Sequence, residues 1–97
     1  MSDEGSVRAA LTNAGYAVFE DAFDAGILRV FIPGDSPHAT IDETTGRKRA
    51  RLVGIVVIRE GRITYAEHRR RVFAFHRDRN HLALRHQLLQ HIKGSPA

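Results

Sequence analysis

The side chains able to do chemistry in this sequence are mostly arginines and histidines, crowded into its second half. Arg47-Lys48-Arg49-x-Arg51, Arg69-Arg70-Arg71 and Arg77-x-Arg79 make three basic clusters. Of the 15 basic residues, all but Lys48 and Lys93 are Arg, whose planar fork of donors matches phosphate oxygens. Tyr65, Phe73 and Phe75 lie close to them in sequence and would stack on bases if exposed, or fill a core if not. The expected contacts to nucleic acid are therefore Arg47, Lys48, Arg49, Arg51, Arg69, Arg70, Arg71, Arg77 and Arg79. Strand ends and loops would present them, so they would position phosphates rather than read base edges. Such binding is nearly sequence-independent and steep in salt, with log K falling by about 0.9 per phosphate contact on duplex DNA.

Five of the six histidines fall between His68 and His91. His81, His86 and His91 recur every five residues, which turns successive rings by about 140° on a helix. Zinc pairs on a helix need i, i+3 or i, i+4 spacing, and no His-Glu-x-x-His or Cys-x-x-Cys pattern occurs. No metal and no cofactor is expected, and these three read as solvated histidines. His38, His68 or His76, with Glu67 or Asp21, would suit the acid–base chemistry of a metal-independent ribonuclease. Gly-rich phosphate loops and a Gly-x-Ser-x-Gly elbow are absent. Three functional classes follow, with binding ahead of catalysis. They are a small non-catalytic nucleic-acid-binding accessory or regulatory protein, a protein-binding module or inhibitor, and a small ribonuclease using His.

Charge is split along the chain. Residues 1–46 hold two basic and eight acidic residues, net −6, while residues 47–97 hold 13 basic and three acidic, net +10. The halves could attract each other across a sheet, form a basic face for a polyanion, dock an acidic protein, or drive a head-to-tail homo-oligomer. No apolar run approaches the roughly 20 residues that cross a bilayer, and Met1-Ser-Asp-Glu4 lacks the pattern of a secretory signal. A cytoplasmic protein with no membrane partner is expected. With no Cys, disulfide and thiolate chemistry are excluded.

Elements must position these groups. At 97 residues and 42% hydrophobic, the chain suits one small α+β domain. Val7, Ala10, Leu11 and Ala14 share one helical face, Ser2 or Ser6 can cap it, and Gly15 can end it. Tyr16–Phe23 and Ile27–Ile32 read as a hairpin turning at Asp24-Ala25-Gly26. Leu52–Ile58 reads as a strand buried on both faces. Arg59-Glu60-Gly61 should make a three-residue loop to the next strand, with only Gly61 left-handed. Val72–Phe75 extends the sheet, and a helix capped at Asp78 or Asn80 runs to Lys93. The prediction is an antiparallel sheet of four or five strands on an N-terminal and a C-terminal helix. Residues 34–50 read first as an exposed loop whose tip lies near Thr45-Gly46. They read second as a short edge strand over His38–Asp42 that turns at Thr44-Thr45-Gly46 into the long strand. The expected core is Val7, Leu11, Val18, Leu28, Val30, Leu52, Val53, Ile55, Val57, Ile63, Phe73, Leu84, Leu88 and Ile92. Arg85, inside the apolar arc of the last helix, should snorkel to solvent.

This element order resembles the double-stranded-RNA-binding fold and the small mRNA-interferase toxins built on it. The resemblance is one of topology. The toxins' Gly-Ser-His strand motif is absent, and Asn80-His81-Leu82 stands where an RNA-binding domain has a Lys-rich start to its second helix. No functional residue is carried over from either family.

Overall fold

The computed structural model describes residues 2–36, 39–75 and 81–97. Ser2 starts the fold, its side-chain oxygen accepting the Gly5 N–H at 3.2 Å as the N-cap of a helix over Asp3–Asn13 (α1). The helix stops before Gly15, whose φ of 91° is open to glycine at little cost. The strands are Ala17–Glu20 (β1), Ile27–Ile32 (β2), Thr40–Ile41 (β3), Lys48–Arg49 (β4), Arg51–Arg59 (β5), Arg62–His68 (β6) and Arg71–Ala74 (β7), and His81–Lys93 forms α2. Five of them make an antiparallel sheet in the order β1-β2-β5-β6-β7, while β3 and β4 pair only with each other. The fold is α+β, and the apolar run Leu52–Ile58 is its central strand.

Both helices pack on one face of the sheet. Val7 and Leu11 of α1 and Leu88 and Ile92 of α2 are buried against Leu28, Val30, Ile32, Val56, Ile58, Ile63, Ala66 and Phe73. Each such side chain is worth about 1.5–3 kcal/mol when fully buried. Among the described residues, nothing covers the other face.

That one-sided cover corrects the expectation that β5 is buried on both faces, and with it part of the core. Val56 and Ile58 point inward, while Ile55 and Val57 face outward and Leu52 is 50% exposed. Ile55 and Val57 lie open because neither helix covers their face, and a bulge turns Leu52 outward with them. Val30 pairs with Gly54 but Phe31 pairs with Leu52, so Val53 is an extra residue that flips the alternation along β5. A second bulge, at Thr64 of β6, lies between the pairs Val57–Tyr65 and Ile58–Ile63. Gly54 is needed at the crossing, because a Cβ there would sit 2.5 Å from the Glu67 carbonyl oxygen.

The turns also differ from expectation. Glu60 and Gly61 both have positive φ, 54° and 79°, closing a two-residue hairpin with Arg59 opposite Arg62. The first hairpin is wider, because β1 ends at Glu20 and leaves Phe23 exposed. Gly26 serves close approach there rather than positive φ. Its carbonyl accepts the Ile58 N–H at 2.6 Å, and a Cβ would lie 2.5 Å from the Ile58 oxygen. Within residues 34–50, β3 and β4 form a two-stranded ribbon that turns at Gly46, φ 71°. The helix caps proposed at Asp78 and Asn80 lie outside the described residues.

Arg85 does not snorkel to solvent. Its Nη1 donates to Asp3 Oδ1 at 2.9 Å, while Asp3 Oδ2 accepts the Ile63 N–H at 3.0 Å. His81 Nε2 is also 3.0 Å from Oδ2 but out of line for a hydrogen bond. Burial pushes the Asp3 carboxyl up, but the Ile63 N–H, the Arg85 guanidinium and the His81 charge together bring it below the usual aspartate value. This buried carboxylate ties α1 to α2 and to the bulge in β6.

Candidate nucleic-acid interface

The uncovered face is a half-exposed apolar surface crossed by polar groups. The register aligns Phe19, Arg29, Ile55, Glu67 and Val72 in one row across the five strands. A neighbouring row holds Ile27, Val57, Tyr65 and Ala74, and a third holds Ala17, Phe31 and Leu52. The Phe19 and Phe31 rings meet edge to face with centroids 5.7 Å apart. Such a surface of aromatic and β-branched side chains is either a stacking platform or a protein-docking face.

At one end of this face lies a cleft of about 590 Å³. Leu52–Ile55 of β5 form its floor, and Arg51, Arg69, Arg70 and Glu67 wall it. Topology explains the gathering of arginines. The β2 end at Ile32, the β5 start at Arg51 and the β6–β7 turn at Arg69-Arg70 all fall at the same end of the sheet. The β3–β4 ribbon leaves and re-enters at this end, so Arg47, Lys48 and Arg49 project from it as well. The acidic side chains of Glu20, Asp21 and Asp24 lie at the opposite end, where Arg8, Arg29 and Arg59 pair with them.

The predicted contact residues divide by what they touch. Arg51 and Arg70 have no acidic partner among the described residues and open onto the cleft. Arg69 is committed elsewhere, with its Nη1 donating to the Pro96 carbonyl at 3.0 Å and to Tyr16 Oη at 3.3 Å. Arg71 lies on the helix-bearing side, its guanidinium 4.8 Å above the Phe73 ring. Arg49 is 3.9 Å from Asp42 on the ribbon. Arg77 and Arg79 lie outside the described residues. Of the aromatics read as stacking or core, Tyr65 faces outward, whereas Phe73 and Phe75 are buried.

The β6–β7 turn is unusual. Arg69 and Arg70 take φ of 49° and 75°, where hairpins ordinarily place Asn and Gly. Holding a residue that carries a Cβ in this region costs roughly 1 kcal/mol or more. Strain of this kind marks candidate functional positions.

Of the three helix histidines that the spacing reads as solvated, His86 is exposed but the other two are not. His81 is buried, and His91 packs on His68, which is only 2% exposed beneath the sheet. His68 Nε2 has no partner among the described residues. Burial, then the charges of His91 and Arg69, push His68 down to about 4. As a candidate catalyst it fails on geometry, because His68 points inward and its neighbour Glu67 outward. Asp21 is at the far end of the sheet, and His38 and His76 lie outside the described residues. Among the described residues, no group of three or more His, Asp and Glu side chains could hold a metal ion, and no helix is long and apolar enough to cross a membrane.

Sequence reasoning missed Phe19, Phe31 and Leu52 as surface residues and Glu67 as part of a cleft. Apolar residues at both parities of β1 and β2 leave the facing of Phe19 and Phe31 open, and the bulge at Val53 turns Leu52 outward. Comparison with protein-family models, curated proteins and solved structures finds no match to this chain.

Proposed function

We propose that this protein binds single-stranded nucleic acid on the open face of its sheet, as a non-catalytic accessory or regulatory protein acting in the cytoplasm. Phosphates sit at Arg51 and Arg70, and bases lie over Phe19, Phe31 and Tyr65. The observation that carries the reading is the cleft itself. It sets two guanidinium groups without acidic partners beside an uncovered face bearing aromatic side chains. An electrostatic rim with adjoining stacking surfaces is what single strands require. Among the described residues, no helix stands out from this face to enter a duplex groove, which favours single strands over duplex DNA.

Salt dependence tests it. Affinity for a short labelled oligothymidylate should fall steeply with salt, by about 0.7 log units per phosphate contact on a single strand. Replacing both Arg51 and Arg70 by Ala should flatten that slope by about 1.4 with an unchanged thermal melt. Arg69 and Arg71 are unsuitable for this purpose, because they also brace Tyr16, the Pro96 carbonyl and Phe73. A salt-independent affinity, or normal binding by the double variant, overturns the reading.

A second reading rests on the outward-facing Ile27, Val57, Ile55 and Leu52, which would suit an acidic protein partner or a second copy of the chain. Sedimentation showing dimers that Ile55→Lys dissolves would favour it.

A further inference from the structure

We infer that Glu67 makes the cleft selective for a guanine base, an inference that rests on the nucleic-acid reading above. Glu67 lies half-buried on the open face, flanked across the strands by Ile55 and Val72. It lines the same cleft as Arg51, Arg69 and Arg70, yet no cation lies within ion-pair distance of it among the described residues. Its one polar neighbour is Tyr65 Oη, 3.5 Å from Oε2, a long contact that leaves most of the carboxylate's accepting capacity unused. The cleft is thus bipolar, lined both by guanidinium groups and by an under-satisfied carboxylate.

A ligand matched to both ends carries an anion and, within the span of the cleft, a donor edge. A nucleotide does so. Its phosphate meets Arg51 and Arg70, and its base reaches Glu67 across the apolar floor of Leu52 and Ile55. Among bases, guanine alone places two N–H donors side by side, at N1 and N2, to face the two oxygens of a carboxylate. Adenine and cytosine offer one amino group beside an acceptor nitrogen. Thymine's N3–H is flanked by two carbonyl oxygens that repel the carboxylate. Ile55 and Val72 flank Glu67 with apolar surface on both sides. Arginine positions the strand and Glu67 selects among bases.

The test uses the whole chain and a short oligothymidylate carrying one central substitution, either guanosine, inosine or adenosine. One guanosine should tighten binding by about 5- to 150-fold over thymidine, the range of a good bidentate base contact. Inosine, which lacks the N2 amino group, should lose most of that gain, and adenosine should show little. Glu67→Gln should remove the preference, while its affinity for oligothymidylate rises or stays as a negative charge leaves the cleft. Equal binding of all four oligonucleotides, or a preference that survives Glu67→Gln, overturns the selectivity but leaves phosphate binding standing. Failure of every oligonucleotide to bind overturns the nucleic-acid reading itself.

Discussion

His68 Nδ1 and His91 Nδ1 face each other across 2.8 Å, joining β6 to α2 beneath the sheet. One ring nitrogen must donate and the other accept, so the contact requires one of them to be without a proton there. The Tyr16 ring packs edge-on against His68, its hydroxyl donating to the Ser95 carbonyl. The segment after α2 is thereby strapped across the end of α1, where the Ala97 N–H donates to the Ala14 carbonyl at 3.0 Å.

This pair sets a pH dependence of stability. The folded state depresses His68 from 6.5 to about 4, so between those values the unfolded chain takes up a proton that the folded chain refuses. Stability should be level above about pH 6.5 and fall as pH drops toward 4, by about 3 kcal/mol from His68 alone. His91, lowered by burial and then by Arg71 and Arg69, adds to the loss in the same direction. Urea midpoints measured from pH 7.5 to 4 should trace the decline, and His68→Phe should remove the larger share of it.

Asp3 should be among the costliest polar residues to remove. Asp3→Ala strands the Ile63 N–H and the Arg85 guanidinium in a buried site, with an expected loss of about 3–5 kcal/mol. Arg85→Met should cost less, since Asp3 keeps the Ile63 bond and the nearby His81. Chemical denaturation of the two variants checks the order. Below pH 4 the wild type should lose further stability as Asp3 is protonated.

The two faces of β5 should respond differently. Ile58→Ala creates a cavity in the core and should cost about 2–5 kcal/mol. Ile55→Ala, on the open face, should cost about 1 kcal/mol by burial, while weakening oligonucleotide binding. Melting and binding measured on the same two proteins separate the roles. Equal destabilisation would mean that the open face is covered in solution.

Arg70→Gly relieves a left-handed strain and removes a phosphate ligand together. It should raise stability by about 0.5–1 kcal/mol and lower nucleic-acid affinity. A variant that is both less stable and equally tight would show that the turn is structural only.

Local chemistry was legible without coordinates where it acts within a few residues. The cap at Ser2, the stop at Gly15 and the β-branched run through Val56 each depend on near neighbours, so sequence determines them. The same is true of the helix–sheet–helix order, which follows from the period of apolar positions. The turn after Arg59 was legible as a turn but not in its two-residue form, which the pairing of Arg59 with Arg62 sets. Which face of β5 is inside was decided only in three dimensions, because its apolar residues occupy both parities, the side on which α1 and α2 settle selects the buried one, and the bulge at Val53 turns Leu52 outward. Burial of His68 and His91, and the capture of Arg85 by Asp3, likewise depend on α2 settling against α1 and β6. The arginines' convergence is topological too. Arg51 and Arg70 are far apart in the chain and meet because the antiparallel order returns β5 and the β6–β7 turn to one end of the sheet. Sequence determined how much positive charge there is, and the pairing of strands decided where it gathers.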